Sequence, residues 1–248
     1  MRNYKISYFI LLVLLLPCIV GAQLQLAPIF SDNMILQRNQ PIVIYGKSIP
    51  GNTVSVSFKQ IQEKAVTQAD SSWKIIFPKQ TASSVPFQVS IHSSSETIQL
   101  HNLLIGDVWV CIGQSNMEWP MMKEMHFKEE KATSNQPLIR LFNPVYAGKN
   151  IFNAPFSDSV IQRLTPDNFF SGKWQTCDSN TIRTLTAVGY YFASAITREL
   201  DVPVGIIHYS MGGAPLESFI SKEAMRANPA FAAKVSGNWL LNTALPDW

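Results

Sequence analysis

Gly106-Asp107-Val108-Trp109-Val110-Cys111-Ile112-Gly113-Gln114-Ser115-Asn116-Met117 decides how the rest of the chain is read. Val108 to Ile112 is a continuous apolar run, the pattern of a strand buried on both faces. A Gly-x-Ser follows it at once, so a hydroxyl stands at the strand's carboxyl end. A second stretch repeats the plan. Val202 to Ser210 is another buried strand, and Met211-Gly212-Gly213-Ala214-Pro215 follows it directly. Between the two, Ala187 to Leu200 has helical periodicity, with Val188, Tyr191, Ala195, Ile196 and Leu200 on one face. Strands that alternate with helices imply a parallel sheet with right-handed crossovers.

Further pieces complete this half. Pro120 to Lys131 reads either as a helix or as an irregular excursion, and Leu138 to Phe142 reads as a strand. Residues 143 to 180 are rich in Asn, Pro, Ser and Asp and read mostly as loops. Leu216 to Ala227 and Ala230 to Leu241 read as helices.

Upstream of Leu104 the pattern changes. Pro41 to Gly46, Thr53 to Phe58, Trp73 to Pro78, Phe87 to His92 and Thr97 to Leu103 are short strand-like runs with Pro, Gly, Ser and Asn between them. That spacing predicts an antiparallel β-sandwich over 24–103. No linker separates it from the α/β part over 104–248. The last run passes through Ile105-Gly106-Asp107 into the next, so the two parts are expected to pack together.

The N-terminus has a third character. Arg2 and Lys5 precede an apolar run from Ile10 to Val20, and Gly21-Ala22-Gln23 offers small residues for cleavage. This is a secretory signal over 1–22, with export to the periplasm or the outside as its consequence. The run falls short of the ~20 residues a membrane span needs. Cys18 in Leu-Leu-Pro-Cys leaves a lipoprotein signal as a minor alternative.

Composition narrows the function classes. Apolar residues are 46% and charged residues 15% of 248, which rules out wholesale disorder. The net charge is +3 without any Lys/Arg run, so nothing points to nucleic acid. Cys111 and Cys177 read as buried free thiols before a disulfide. No Cys-x-x-Cys and no His-rich spacing supports a metal site, and no cofactor is implied.

The two strand ends carry the chemistry. Ligand sites in open α/β sheets lie beyond the carboxyl ends of the strands, so both loops belong on one edge. Ser115 is a candidate nucleophile. Gly212 and Gly213 are candidate oxyanion donors through their backbone N–H groups. Met117 stands where the nucleophile elbow requires its second glycine, so Gly-x-Ser-x-Gly is absent.

The stretch from Gly106 to Glu118 resembles the first sequence block of the sialate O-acetylesterase family, within the SGNH hydrolases. Phe30 to Arg38, Pro50 to Val54, Ala187 to Ala193, Val202 to Ile207 and Gly212 to Phe219 resemble further blocks of that family. The resemblance runs from about residue 24 to about residue 227. It implies an SGNH-type three-layer α/β hydrolase domain, incomplete, preceded by the β-sandwich. It also implies removal of O-acetyl groups from sugars, most of all sialic acids, through an acyl-enzyme on Ser115. Gln114 and Asn116 are then expected to brace the nucleophile loop. Glu217 ties the next helix start or lines the cleft. Trp109 is expected in the core, while Trp119 could contact sugar.

Two things depart from the family's pattern. The family's Gly-Glu-x-Asn/Asp block and its catalytic Asp-x-x-His are absent, and none of His92, His101, His126 and His208 has an Asp three residues before it. The chain is therefore expected to be a truncated copy, with exposed apolar faces and poor solubility, or else to use His126 or His208 as base. An acetylesterase on plant polysaccharides such as xylan, and a non-catalytic carbohydrate-binding fragment, are the alternative readings. Arg38, Arg140 and Arg183 are the cations on offer to a sugar carboxylate, each expected to be solvated.

Overall fold

The computed structural model describes residues 23–237 apart from 95, 152 and 166. The signal segment over 1–22 and the last residues of the helix expected over Ala230 to Leu241 lie outside the described residues. In chain order the strands of the first half are β1 (Gln25–Leu26), β2 (Ile35–Gln37), β3 (Ile42–Lys47), β4 (Thr53–Phe58), β5 (Ile61–Val66), β6 (Ser72–Phe77), β7 (Ser83–Ser93) and β8 (Glu96–Gly113). There follow α1 (Ser115–Glu118), α2 (Phe127–Thr133), β9 (Gln136–Phe142), β10 (Val145–Tyr146), α3 (Asp158–Ile161), β11 (Phe170–Ser171) and β12 (Trp174–Cys177). The second half closes with α4 (Ala187–Leu200), β13 (Val204–Ser210), α5 (Lys222–Ala227) and α6 (Pro229–Ala232).

One eight-stranded sheet organises the molecule. Its order is β12-β9-β13-β8-β7-β4-β5, with β2 also paired to β8. The first part of β8 pairs antiparallel with β7, and its last seven residues pair parallel with β13. The division expected at residue 103 thus falls inside a single strand. A smaller antiparallel sheet, β1-β3-β6, supplies the facing layer. Ile42 and Ile44 of β3 and Trp73, Ile75 and Phe77 of β6 meet Val54, Val56 and Phe58 of β4 and Val89 and Ile91 of β7 in one apolar cluster. Alternation explains this: each strand turns every second residue inward. Burial contributes roughly 1.5–3 kcal/mol for each such side chain.

On the other face of the α/β part, Cys111, Ile139, Leu141, Val204 and Ile206 pack under Ala187, Tyr190 and Ala193 of α4. The helix is where periodicity places it, capped by Thr186, whose Oγ1 accepts the Gly189 N–H at 3.2 Å, and ended by left-handed Asp201. The buried stripe differs from the expected one. Val188 and Leu200 face solvent, and small Ala187, Gly189 and Ala193 lie inward because the helix rides close to β8 and β13. A methyl group at Gly189 would stand 3.0 Å from Cys111 Sγ.

Three other readings need correction. The strand through Val108 to Ile112 is not buried on both faces: Trp109, Val110 and Ile112 are 46%, 55% and 55% exposed. Beyond Gly106 this strand has β13 on one side and no described strand on the other, so its edge is open. Trp109 consequently lies half exposed, edge-on to Phe192 at 4.9 Å, instead of in the core. An apolar strand edge that no other described strand covers is the kind of surface prone to association. Leu216 to Ala227 is not one helix but a 3-10 turn, Leu216–Phe219, and α5, broken at extended Ile220 and Ser221. The 143–180 segment contains a member of the main sheet, β12, besides its loops. Cys111 and Cys177 are buried free thiols.

Candidate active site

The parallel register of β8 and β13 builds the site. Gly113 pairs with Ser210, so the loops that follow both strands emerge side by side. The Met211 N–H donates to Gly113 O at 3.0 Å and continues that ladder by one residue. The chain then turns into α1, whose first residue is Ser115. Ser115, Asn116 and Gln114 are all exposed at this edge.

Two side chains bind the loops together. Gln114 Nε2 donates to the carbonyl of Ala214. Glu118, one turn after Ser115, accepts the Gly212 N–H on Oε2 at 2.6 Å and pairs through Oε1 with Lys149 Nζ at 3.2 Å. A methyl group at Gly212 would stand 2.8 Å from Glu118 Oε2 and 3.8 Å from both Cα and Cβ of Ser115. The second loop therefore lies in van der Waals reach of the serine. Gly213 sits at φ +80° with open space around it, a conformation that favours glycine. Its N–H makes no hydrogen bond among the described residues, whereas that of Gly212 is held by Glu118.

Glu217 lies apart from this contact. It makes an ion pair with Lys234 at 2.8 Å, and that ammonium holds its carboxyl below the usual carboxylate range. Asn116 makes no side-chain hydrogen bond among the described residues. Glu118 and Lys149 were not singled out from sequence. The three-residue spacing from Ser115 puts Glu118 on the same side of a helical turn and could have indicated it. Lys149 comes from a loop and carries no local signal. Glu118→Ala is expected to cost about 1 kcal/mol in urea unfolding, since the charge-assisted bond it loses is partly exposed. The Gly212 amide proton should move upfield with it.

Neither histidine offered as base is hydrogen-bonded to Ser115. His126 lies exposed before α2, its backbone N–H on Glu124 Oε2. His208 is 5% exposed, with Nε2 hydrogen-bonded to Ser210 Oγ and Nδ1 to Asn143 Oδ1 at 2.8 Å. Burial, helped by the charge of Lys149, pushes its pKa from 6.5 down to about 4. The folded protein thus takes this proton at lower pH than the unfolded chain does. Stability is full above pH 6.5 and falls as pH drops towards 4, by roughly 3 kcal/mol in all. Urea midpoints from pH 7 to 4 should show that slope, and His208→Gln should remove it.

The arginines are not all solvated. Arg38 makes a two-pronged bridge to Asp107, 2.8 Å on each prong, which raises its own pKa. Arg183 stands over the Phe127 ring at 5.8 Å. Arg140 is buried in the sheet. Among the described residues no cluster of His, Cys, Asp and Glu is arranged to hold a metal.

The α/β sheet thus brings a serine and a glycine pair to adjacent strand ends. The fold is similar to that of a carbohydrate acetylesterase from Xanthomonas citri, with a TM-score of 0.70 and 27% identity over 83% of this chain and 44% of that one. In sequence the chain is similar to proteins named sialate O-acetylesterase. It is 27% identical to that of Homo sapiens over 221 residues, 84% of this chain and 40% of that protein. It is 26% identical to that of Rattus norvegicus over 213 residues, 80% and 38%. The chain thus spans about 40% of the length of the curated relatives it matches. No family model matches it.

Proposed function

We propose that this chain is a serine acetylesterase of the SGNH type acting on O-acetylated sialic acids. The observation that supports the reading is the approach of the Gly212 backbone to Ser115, close enough that a methyl group at Gly212 would touch the serine, set by the β8–β13 register and held by Gln114 and Glu118. In this reading residues 24–103 belong to the β-sandwich domain and 104–248 to the hydrolase domain, with the strand β8 running through both, and 1–22 are the export signal. No helix among the described residues is long and apolar enough to cross a membrane.

In this reading the Ser115 hydroxyl oxygen attacks the acetyl carbonyl carbon. The carbonyl oxygen takes the negative charge and faces the N–H groups of Ser115 and Gly213, which stabilise it. The C–O bond to the sugar breaks, and the sugar leaves as the alcohol with the proton that Ser115 gave up. Water then hydrolyses acetyl-Ser115 to acetate and the free serine. Gly213 is the favoured loop donor because the Gly212 N–H is already held by Glu118. Gln114 braces the loop through the Ala214 carbonyl, Asn116 makes no such bond among the described residues, and Glu217 ties its own turn to Lys234.

The test is acetate release from O-acetylated N-acetylneuraminic acid by the folded chain, beside acetylated xylan. Release from the sialic acid supports the reading, and release from xylan alone moves the substrate to plant polysaccharide. No release from a folded protein that retains the sugar would make it a carbohydrate-binding protein. The binding of His208 to Ser210 is the observation on that side.

A further inference from the structure

Arg140 is a buried arginine with no acidic partner among the described residues. It lies at the middle of β9, paired with Gly205 of β13 and Thr176 of β12, and is 3% exposed. Its hydrogen bonds go to neutral acceptors only: Nη1 to the carbonyls of Pro137 and Ile139, and Nη2 to Asn102 Oδ1 at 3.5 Å. Nε is buried with no partner. None of the ion pairs among the described residues includes it.

A buried cation without a counter-charge is strongly disfavoured, and burial pushes the Arg140 pKa down. Among the described residues Cys177 is the ionisable group that acts on its charge. Burial holds that thiol at about 12, so it contributes no negative charge at neutral pH. Arg140 also lines a cleft of about 430 Å³ with Ser84, Asn102, Asn135, Thr176 and Cys177, and no acidic side chain among the described residues borders it. Space, a buried unmatched guanidinium and neutral hydrogen-bonding groups therefore meet at one place. A planar guanidinium favours oxyanions, which can take two of its N–H groups at once.

We propose that this cleft binds a small oxyanion, a carboxylate or a phosphoryl group, with the Arg140 guanidinium as its cation. The site is separate from Ser115. Arg140 pairs with Gly205 and Gly113 with Ser210, five residues further along β13, or roughly 16 Å. Ligand at this place joins β7, β8, β9 and β12 and stabilises the fold by mass action.

The experiment is thermal unfolding of the native chain and of Arg140→Met, in inorganic phosphate, in acetate and in chloride at equal ionic strength. The native chain should gain several degrees in a saturable way with phosphate or acetate. The variant should start higher in chloride and show only the unsaturable rise common to both. Saturation by acetate as well as phosphate assigns a carboxylate-tolerant site, and saturation by phosphate alone assigns a phosphoryl site. Equal responses in the two proteins, or no saturable response in the native chain, overturn the proposal. Should the variant not fold, phosphate titration of native amide shifts decides: saturating shifts confined to Ser84, Asn102, Asn135 and Thr176 support it, and shifts elsewhere or none overturn it. Neither readout depends on acetate release, so the site and the esterase reading stand or fall separately.

Discussion

Acetate release by the native chain should fall to the buffer background in Ser115→Ala, a loss of at least about 10²-fold. The serine is exposed on α1 and takes no part in the core, so the variant should unfold at the same urea concentration as the native chain. Loss of release with an unchanged midpoint is therefore a loss of chemistry. Release that survives would move the nucleophile elsewhere. Ser210, on His208 Nε2, is the first alternative to test, although it lies buried behind the loop. Activity of the native chain would also require a group that accepts the Ser115 proton, and neither His126 nor His208 is hydrogen-bonded to Ser115 in this structure.

Gly106→Ala should destabilise the protein by about 4 kcal/mol or more, enough to abolish the folded state in a marginal chain. A methyl group there would lie 1.9 Å from Pro203 O and 2.6 Å from Pro203 C. Those are backbone atoms, and the same carbonyl accepts the Asp107 N–H at 2.9 Å, so it cannot retreat without breaking the first rung between β8 and β13. Gly106 O also accepts the Arg38 N–H at 2.8 Å, which fixes the strand from the other side. Gly51→Ala is the comparison. Gly51 has a positive φ of 83° but nothing within 4 Å, so only backbone strain is at stake, about 1 kcal/mol. Urea unfolding of both variants measures the difference. Equal midpoints would mean that β8 and β13 can separate at Gly106 at little cost.

Strands with clear alternation and a helix with clear periodicity were legible in the sequence. β3, β4 and β6 lie within a residue or so of their expected places, and α4 spans the expected residues. β5 was not legible: Gln62, Glu63 and Lys64 are exposed on an outer strand of the sheet, so apolar alternation is absent. β12 is four residues long, and its pairing with β9 is a long-range contact that no local pattern reports. The exposure of Trp109, Val110 and Ile112 was misread because an apolar run tells of a strand but not of how many neighbours it has. The placement of Ser115 and the Gly212-Gly213 loop at adjacent strand ends was legible, because each comes soon after an apolar run that forms a strand. Lys149, Asn143 and Ser210 were not, since each gains its meaning from a residue distant in sequence or from the interior. The burial of Arg140 had a local signal in Leu138-Ile139-Arg140-Leu141-Phe142, a strand apolar on both faces around one charge.

The two ties that close the loop around Ser115 join residues 94 and 100 positions apart in the chain. Ordering so long an intervening segment costs entropy before any contact repays it, and contacts of this kind form late and slowly. α1 and the end of β8 can be made early from local chain, but the proposed oxyanion donor of the second loop does not lie beside them until β13 has docked. On the folding time axis the serine is thus present well before the site is. A refolding chain would regain its helix and sheet signals first, and its reactivity only with the last long-range pairing.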